Sequence, residues 1–303
     1  MESEVLDVRL QILDSKEALE GALALLDGQG SHYIVTVNPE FLVAARSNYH
    51  FRKALNVADI SLIDGVGILW ALDYLKRIPR WLYHTNHHRL QWVLATWFWM
   101  STFIRFTIRV LFRPHVYLNR VAGSDLIKEI FIRIPPKHGV YMVGGLPSTQ
   151  EVLRHALAAA YPQMDVRGVE YGLRNVRIAD QGIVYDKQED EALCRRIQQV
   201  APSVLVVGFG QIKQELWIAE HLLKFPSVRL FIGVGGALDF ISGATRRSPR
   251  WMRNHGLEWL WRLITQPRRI GRIFTATVRF PVLVLKHQWN QLSLYHTRGP
   301  QRF

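Results

Sequence analysis

Residues 33–76 read YIVTVNPEFLVAARSNYHFRKALNVADISLIDGVGILWALDYLK, and the fold turns on how that stretch divides. Tyr33–Val37 and Ile60–Ile63 are apolar, β-branched runs of strand length, too short to be core helices. Each passes directly into a helical pattern, Glu40–Arg46 behind Pro39 and Val66–Lys76 behind Gly65. Strand followed at once by helix, twice over, is the repeating unit of a parallel sheet. The same alternation continues outward from this stretch. Strands are predicted at Val5–Ile12, Val140–Val143, Asp165–Val169, Val204–Val207 and Arg229–Ile232, with helices at Ser15–Leu26, Ser124–Arg133, Ser148–Tyr161, Glu189–Val200 and Lys213–Leu223. The reading is an α/β chain with a Rossmann-like, mostly parallel sheet covered by helices. Residues 1–245 form the body and 246–303 a basic, aromatic C-terminal appendage; an apolar basic insertion interrupts the body at about 80–118.

Charge is distributed very unevenly. The chain carries a formal +13, yet residues 76–120 contain eight Lys/Arg and no acid, and residues 246–303 contain twelve against the single Glu258. The rest is therefore a mildly acidic body. Both basic stretches are rich in Trp, Phe, Leu and Ile, and basic plus apolar fits a membrane surface. Nucleic acid is the weaker reading, because a phosphate-tracking face is solvated where these are apolar. Within the insertion, the uncharged run Leu90–Ile104 falls short of the roughly 20 residues of a spanning helix. The segment is read as a membrane-facing helix or hairpin, with a dimer contact as the alternative. A lone Cys194 excludes an internal disulfide and reads as a helix core residue. MESEVLDVRLQIL at the start lacks the features of a signal peptide, so the expectation is a cytoplasmic protein that touches the membrane without crossing it.

Loops of functional composition follow the strands, where open α/β sheets bind ligands. They are Thr36-Val37-Asn38-Pro39, Asp64-Gly65-Val66-Gly67, Gly144-Gly145, Gly208-Phe209-Gly210 and Gly233-Val234-Gly235-Gly236. Asp64, at a strand tip beside Gly65, either takes a proton from a substrate hydroxyl or caps the helix that follows. Thr36 and Asn38 either bond sugar hydroxyls or, for Asn38, serve as a turn or cap. The glycines permit close approach to a phosphate-bearing ligand, but no dinucleotide fingerprint is present: Lys213 and Leu238 stand where the third glycine would fall, and there is no P-loop. Gln214 opens the helix after Gly210 and can reach the same cleft, whereas Glu215 reads as first-turn complementarity to the helix dipole. No Asp-x-Asp occurs, and His84, His87 and His88 cluster without a neighbouring carboxylate or Cys; that cluster reads as solvated or facing lipid headgroups, and no metal or other cofactor is expected. A diphosphate then needs other cations. Arg120 precedes Gly123-Ser124-Asp125, and Arg262, Arg269 and Arg272 fall on one side of a helix if Pro267 merely kinks it. Guanidinium forks suit phosphate oxygens.

These motifs resemble the WecG/TagA/CpsF glycosyltransferases, family 26 of the sugar transferases. The stretches that carry the resemblance are TVNPEFLVAAR, ADISLIDGVGILWA, RVAGSDL, YMVGGLPSTQEVL, VLVVGFGQIKQELWIAE and IGVGGALDFISGATRRSPRWMRNHGLEWLWRLITQPRRIGR, in family order over roughly residues 33–272. The resemblance implies metal-independent, inverting transfer of an N-acetylmannosamine-type sugar from a UDP donor to a polyprenyl-diphosphate-linked sugar on the cytoplasmic membrane face. It places the base on Asp64, the family Thr and Asn on Thr36 and Asn38, its Arg on Arg120, its Gln on Gln214, and its C-terminal arginines on Arg262, Arg269 and Arg272. Glucose or a uronic acid as donor sugar, a homo-oligomer, and a non-catalytic membrane scaffold stay open at this stage. Two departures from the family pattern stand out: the insertion, and Gln211-Ile212 in place of Met-Pro before Lys213.

Overall fold

The structure, a computed structural model, describes residues 2–83, 85, 87–112, 120–179 and 182–298. A hairpin of β1 (Glu2–Val5) and β2 (Val8–Gln11) leads into α1 (Ser15–Asp27), β3 (His32–Val37), α2 (Pro39–Ser47), α3 (Tyr49–Asn56), β4 (Ile60–Ile63) and α4 (Val66–Lys76). After α5 (Arg80–Tyr83), the long α6 (His88–Phe112) and α7 (Gly123–Arg133) come β5 (Val140–Gly144), α8 (Gln150–Ala160) and β6 (Val166–Glu170). A small hairpin, β7 (Arg177–Ala179) and β8 (Gly182–Val184), precedes α9 (Lys187–Val200), β9 (Val204–Gly208), α10 (Lys213–His221) and β10 (Leu230–Gly233). The remainder is helical: α11 (Ala237–Ile241), α12 (Arg250–Asn254), α13 (Glu258–Thr265), α14 (Ile270–Phe274) and α15 (Phe280–Arg298), with a π-helical turn at Thr275–Arg279.

Eight strands form one sheet in the order β1-β2-β4-β3-β10-β9-β5-β6. Only β1 runs antiparallel to its neighbour, so the α/β, mostly parallel reading holds. Parallel strands are covered on both faces and must be apolar on both. Alternate residues accordingly feed two cores. Tyr33, Val35, Leu205, Val207 and Phe231 point into one, with α2, α3, α4 and α10. Ile34, Val204, Val206, Leu230 and Ile232 point into the other, with α1, α7 and α8. Fully buried Phe280 and Val284 of α15 belong to the first core, as do Phe106 and Val110 of α6.

The structure departs from the sequence reading at several points. Val5–Ile12 is a hairpin and not one strand, because Leu6 and Asp7 both take the left-handed conformation, at φ 53° and 65°. Val5 pairs with Val8 across that two-residue turn, whose geometry usually selects Asn or Gly; Leu6-Asp7 contains neither. Residues 49–56 form α3, a short helix capped by the Asn48 side chain, which accepts from the Phe51 N–H at 2.9 Å. And Pro267 does more than kink a helix: α13 ends at Thr265 and a 3₁₀ turn, Pro267–Arg269, separates it from α14, so Arg262, Arg269 and Arg272 are not on one helix.

Candidate active site

The carboxyl ends of β3 and β4 lie side by side, and the ladder runs on past both. Asp64 donates its backbone N–H to Val37 O at 2.8 Å, and Val121 donates to Ile63 O at 3.0 Å. The first bond fixes Asp64 at the strand tip; the second draws the segment before α7 along β4 and sets Arg120 beside Asp64. Gly123 closes the gap between them and β3, for a Cβ there would stand 2.7 Å from Thr36 Oγ1. Asn38 caps α2, its Oδ1 accepting from the Phe41 N–H at 3.0 Å; the cap reading is thus met by geometry.

Around Asp64 the charges form a chain. Arg120 Nη2 stands 3.5 Å from Asp64 Oδ1 and 3.1 Å from Glu258 Oε2. Arg262 Nη2 reaches Glu258 Oε1 at 2.6 Å. Burial, reinforced by the charge of Glu258, raises the Asp64 carboxyl above the ordinary range, although Arg120, Arg262 and the Gly123 backbone pull the other way. Its side chain still shows 28% of its surface, so a hydroxyl can reach it. Glu258 goes the opposite way. Burial would raise it, but Arg262 and Arg120 outweigh that and hold it down at about 2. One carboxyl is inclined to take a proton; the other stays ionised at any working pH.

The other two predicted arginines approach from α14 and the turn before it. Arg272 Nε donates to Glu40 at 2.7 Å and its Nη2 to Gln211. The Arg269 guanidinium is disfavoured first by burial and then by the positive charge of Arg272 and Arg262. The C-terminal arginines are therefore gathered close enough to repel, an arrangement an anionic ligand would relieve.

Beyond β3, the ends of β10, β9 and β5 carry the glycine loops. Gln214 is buried at 3% exposure. Its Oε1 accepts from the Gly235 N–H at 2.8 Å and its Nε2 donates to Glu215 Oε1 at 2.5 Å. As placed, Gln214 braces the Gly233–Gly236 turn and does not line the cleft. Glu215 is more than a dipole partner: it is 1% exposed and its Oε2 accepts from the Ile212 N–H at 2.6 Å. Burial pushes its carboxyl up to about 7, against the hydrogen bonds from Gln214 and the backbone. Between β5 and β9, where the strand order reverses, lies a cavity of about 380 Å³ lined by Gly144, Gly145, Gly208, Phe209, Tyr171 and Lys213. The strands close tightly there, since a Cβ on Gly144 would fall 2.4 Å from the Gly208 backbone. Gly65 and Gly210 sit at the same edge, while Gly236 lies next to Arg269 and Asp239.

Sequence reasoning missed Glu258, Asp239 and Lys213 as site residues. Asp239 Oδ1 is buried without a partner among the described residues. Glu258 alone gave a signal, as the one acid in a basic segment. His84 lies outside the described residues, as does the side chain of His88. Asp190, Cys194 and His221 do come together, but Lys224 Nζ is 3.1 Å from His221 Nε2 and supplies the cluster's cation. Burial pushes the Cys194 thiol up to about 11, which suits a packing residue and not a nucleophile.

A curated relative, the N-acetylglucosaminyldiphosphoundecaprenol N-acetyl-beta-D-mannosaminyltransferase of Staphylococcus aureus (strain MRSA252), is 28% identical over 242 residues, 80% of this chain and 75% of the relative. The sequence model of the Glycosyl transferase WecG/TagA/CpsF family matches residues 3–87 and 97–294. A match over nearly the whole chain, running through the strand tip with Asp64, the glycine turns and the arginine-bearing helices alike, leads to one assignment: the chain is a glycosyltransferase and belongs to the WecG/TagA/CpsF family.

Proposed function

We propose that the chain transfers an N-acetylmannosamine-type sugar from a UDP donor to a polyprenyl-diphosphate-linked sugar, with inversion and without a metal ion. One observation carries the reading: a carboxylate of raised proton affinity at the tip of β4, 3.5 Å from a guanidinium that belongs to a larger arginine cluster. The acceptor follows from the staphylococcal relative, whose name specifies a diphosphoundecaprenol-linked N-acetylglucosamine.

In this reaction the uridine occupies the β5/β9 crevice. Three strand spacings, roughly 14 Å, separate β9 from β4 in the sheet order. That is the reach of an extended nucleotide-diphosphate sugar, so the diphosphate crosses β10 and the anomeric carbon meets Asp64. Asp64 removes the acceptor hydroxyl proton as the oxygen attacks that carbon from the face opposite the diphosphate. The bond from carbon to the diphosphate oxygen breaks, and the negative charge leaves on UDP. Arg120 and Arg262, with Arg269 and Arg272, stabilise that charge as it develops. Thr36 and Asn38 contact the sugars, and Gln214 acts through the turn it braces. The acceptor arrives from an anionic membrane at the cytoplasmic face, met by the basic C-terminal segment and the outer face of α6.

A panel of UDP-sugars with a short-chain polyprenyl-diphosphate-N-acetylglucosamine acceptor tests the reaction. The expected result is a UDP-N-acetylmannosamine-dependent product of inverted configuration, formed equally well in EDTA. Asp64→Asn should lower kcat by about 10²- to 10⁴-fold with the fold intact. Full turnover in that variant would reject Asp64 as the base.

A further inference from the structure

We infer that Glu258 is the residue that assembles this site, an internal anion that holds Arg120 and Arg262 side by side and seats Arg120 against Asp64. The inference rests on the proposed transfer reaction and adds a positioning residue to it. Residues 246–303 contain one acid among twelve cations, and that acid is buried where the body and the C-terminal helices meet. It gives one oxygen to each arginine, at 3.1 and 2.6 Å, and its side chain is only 13% exposed. The contact with Arg262 is a local i,i+4 pair on α13. Glu258 does more than that, because it also engages Arg120, 138 residues away in the chain.

The physical need is plain. Two guanidiniums brought together to face a diphosphate repel each other until the ligand arrives. A carboxylate between them cancels the repulsion, and its two oxygens set their separation in advance. Arg120 Nε is left buried with no partner among the described residues, a donor that a phosphate oxygen would satisfy. Glu258 is not itself a competing base: it is held at about 2 and both of its oxygens are taken by arginines. Its charge instead adds to the proton affinity of Asp64.

Glu258→Gln keeps the shape and removes the charge, and it separates positioning from scaffolding. With the anion gone, UDP should bind at least about threefold tighter by calorimetry, because the arginine pair loses its internal competitor. Turnover should fall about 10- to 100-fold, because the pair is no longer held in register. The acidic limb of kcat/KM should move to lower pH, since Asp64 loses a neighbouring negative charge and meets freer arginines. Tighter ground-state binding with slower turnover is a split that simple loosening of the fold does not produce. A folded Glu258→Gln protein with wild-type kcat, or with the limb unmoved, overturns the inference. If that variant lacks a cooperative melt, Glu258→Asp decides. It keeps the charge but is one methylene too short to reach both arginines, so the limb should stay and kcat should fall; wild-type kcat there overturns the bridge. Wild-type protein that turns over none of the substrates would instead sink the transfer reading. Glu258 is then judged on UDP binding alone, and an unchanged Kd in Glu258→Gln counts against it.

Discussion

Asp64 and Glu215 are both carboxyls raised by burial, yet they sit differently in the molecule. Asp64 keeps an open side toward the cleft, whereas Glu215 is sealed beneath Gln214 and the Ile212 turn. For Asp64 the consequence is kinetic: activity should be full while the carboxylate is ionised and should fall as pH drops through its raised value. For Glu215 the consequence is thermodynamic. A carboxyl raised from an ordinary value to about 7 binds its proton more tightly folded than unfolded. Its contribution is therefore fully present at about pH 4 and is lost as pH rises to about 7, on the order of 3 kcal/mol across that window. Urea unfolding between pH 5 and 8 should show this loss in the wild type, and Glu215→Gln should flatten it. A variant whose stability still falls with the same slope would place the titrating group elsewhere. Both positions were legible as residues at a strand tip or helix start; which environment each would meet was not, because Arg120, Glu258 and the β10 turn come from distant sequence.

Elements that depend on local pattern were read almost to the residue: Ile60–Ile63 and Val66–Lys76 coincide with β4 and α4. What escaped was either conformational, like the left-handed turn at Leu6 and Asp7, or short, like the Arg177–Val184 hairpin. The insertion shows the limit most clearly. Its apolar run announced a helix but did not say which face lies inward. In the structure α6 packs against α4 through Trp99 and Phe103, with Trp70 ring contacts at 6.0 and 5.1 Å. On the opposite side it exposes Leu90, Val93, Trp97, Met100, Ile104 and Ile108, spaced three or four apart along one stripe. No helix among the described residues is long and apolar enough to cross a membrane, so the stripe calls for a surface partner. Residues 76–120 contain no acid, and a second copy laid antiparallel would face arginine with arginine. Charge thus favours anionic lipid over self-association, the helix lying in the interface with Arg105 and Arg109 at its border. Trp97→Ser with Ile104→Ser should lower flotation with anionic vesicles by about 10- to 100-fold, with little change in unfolding free energy. Unchanged flotation, together with a dimer lost in ultracentrifugation, would assign the stripe to a protein contact.

At the scale of the whole molecule, the two basic segments that stand apart in sequence are joined in space. Trp99 Nε1 donates to Pro281 O at 3.0 Å, and Trp92 meets Trp289 edge-on at 4.6 Å. Helix α6 is thereby clamped to α15, whose Phe280 is buried in the core beneath α2 and α4. Since α4 begins directly after Asp64-Gly65, the stripe and the proposed base are held by one rigid framework. The C-terminal segment has a double duty of its own. It delivers Arg262 to the site and exposes Trp259, Ile264, Ile270 and Phe274 nearby. A protein built this way should lose access to lipid-embedded acceptor when its cations are screened, without losing its chemistry. Surface attraction to anionic lipid is worth about 1 kcal/mol per Lys or Arg and fades beyond a Debye length, which shrinks from about 10 Å at 0.1 M salt to 3 Å at 1 M. Raising salt over that range should release the protein from anionic vesicles and cut turnover of a long-chain acceptor held in them at least tenfold. Turnover of a water-soluble short-chain acceptor should change far less, because the diphosphate meets arginines that are partly withdrawn from solvent, Arg120 most of all, and that salt screens less than it screens surface charge. Equal losses on both acceptors would mean that salt acts on the site itself, and that the basic surface is not what brings the protein to its acceptor.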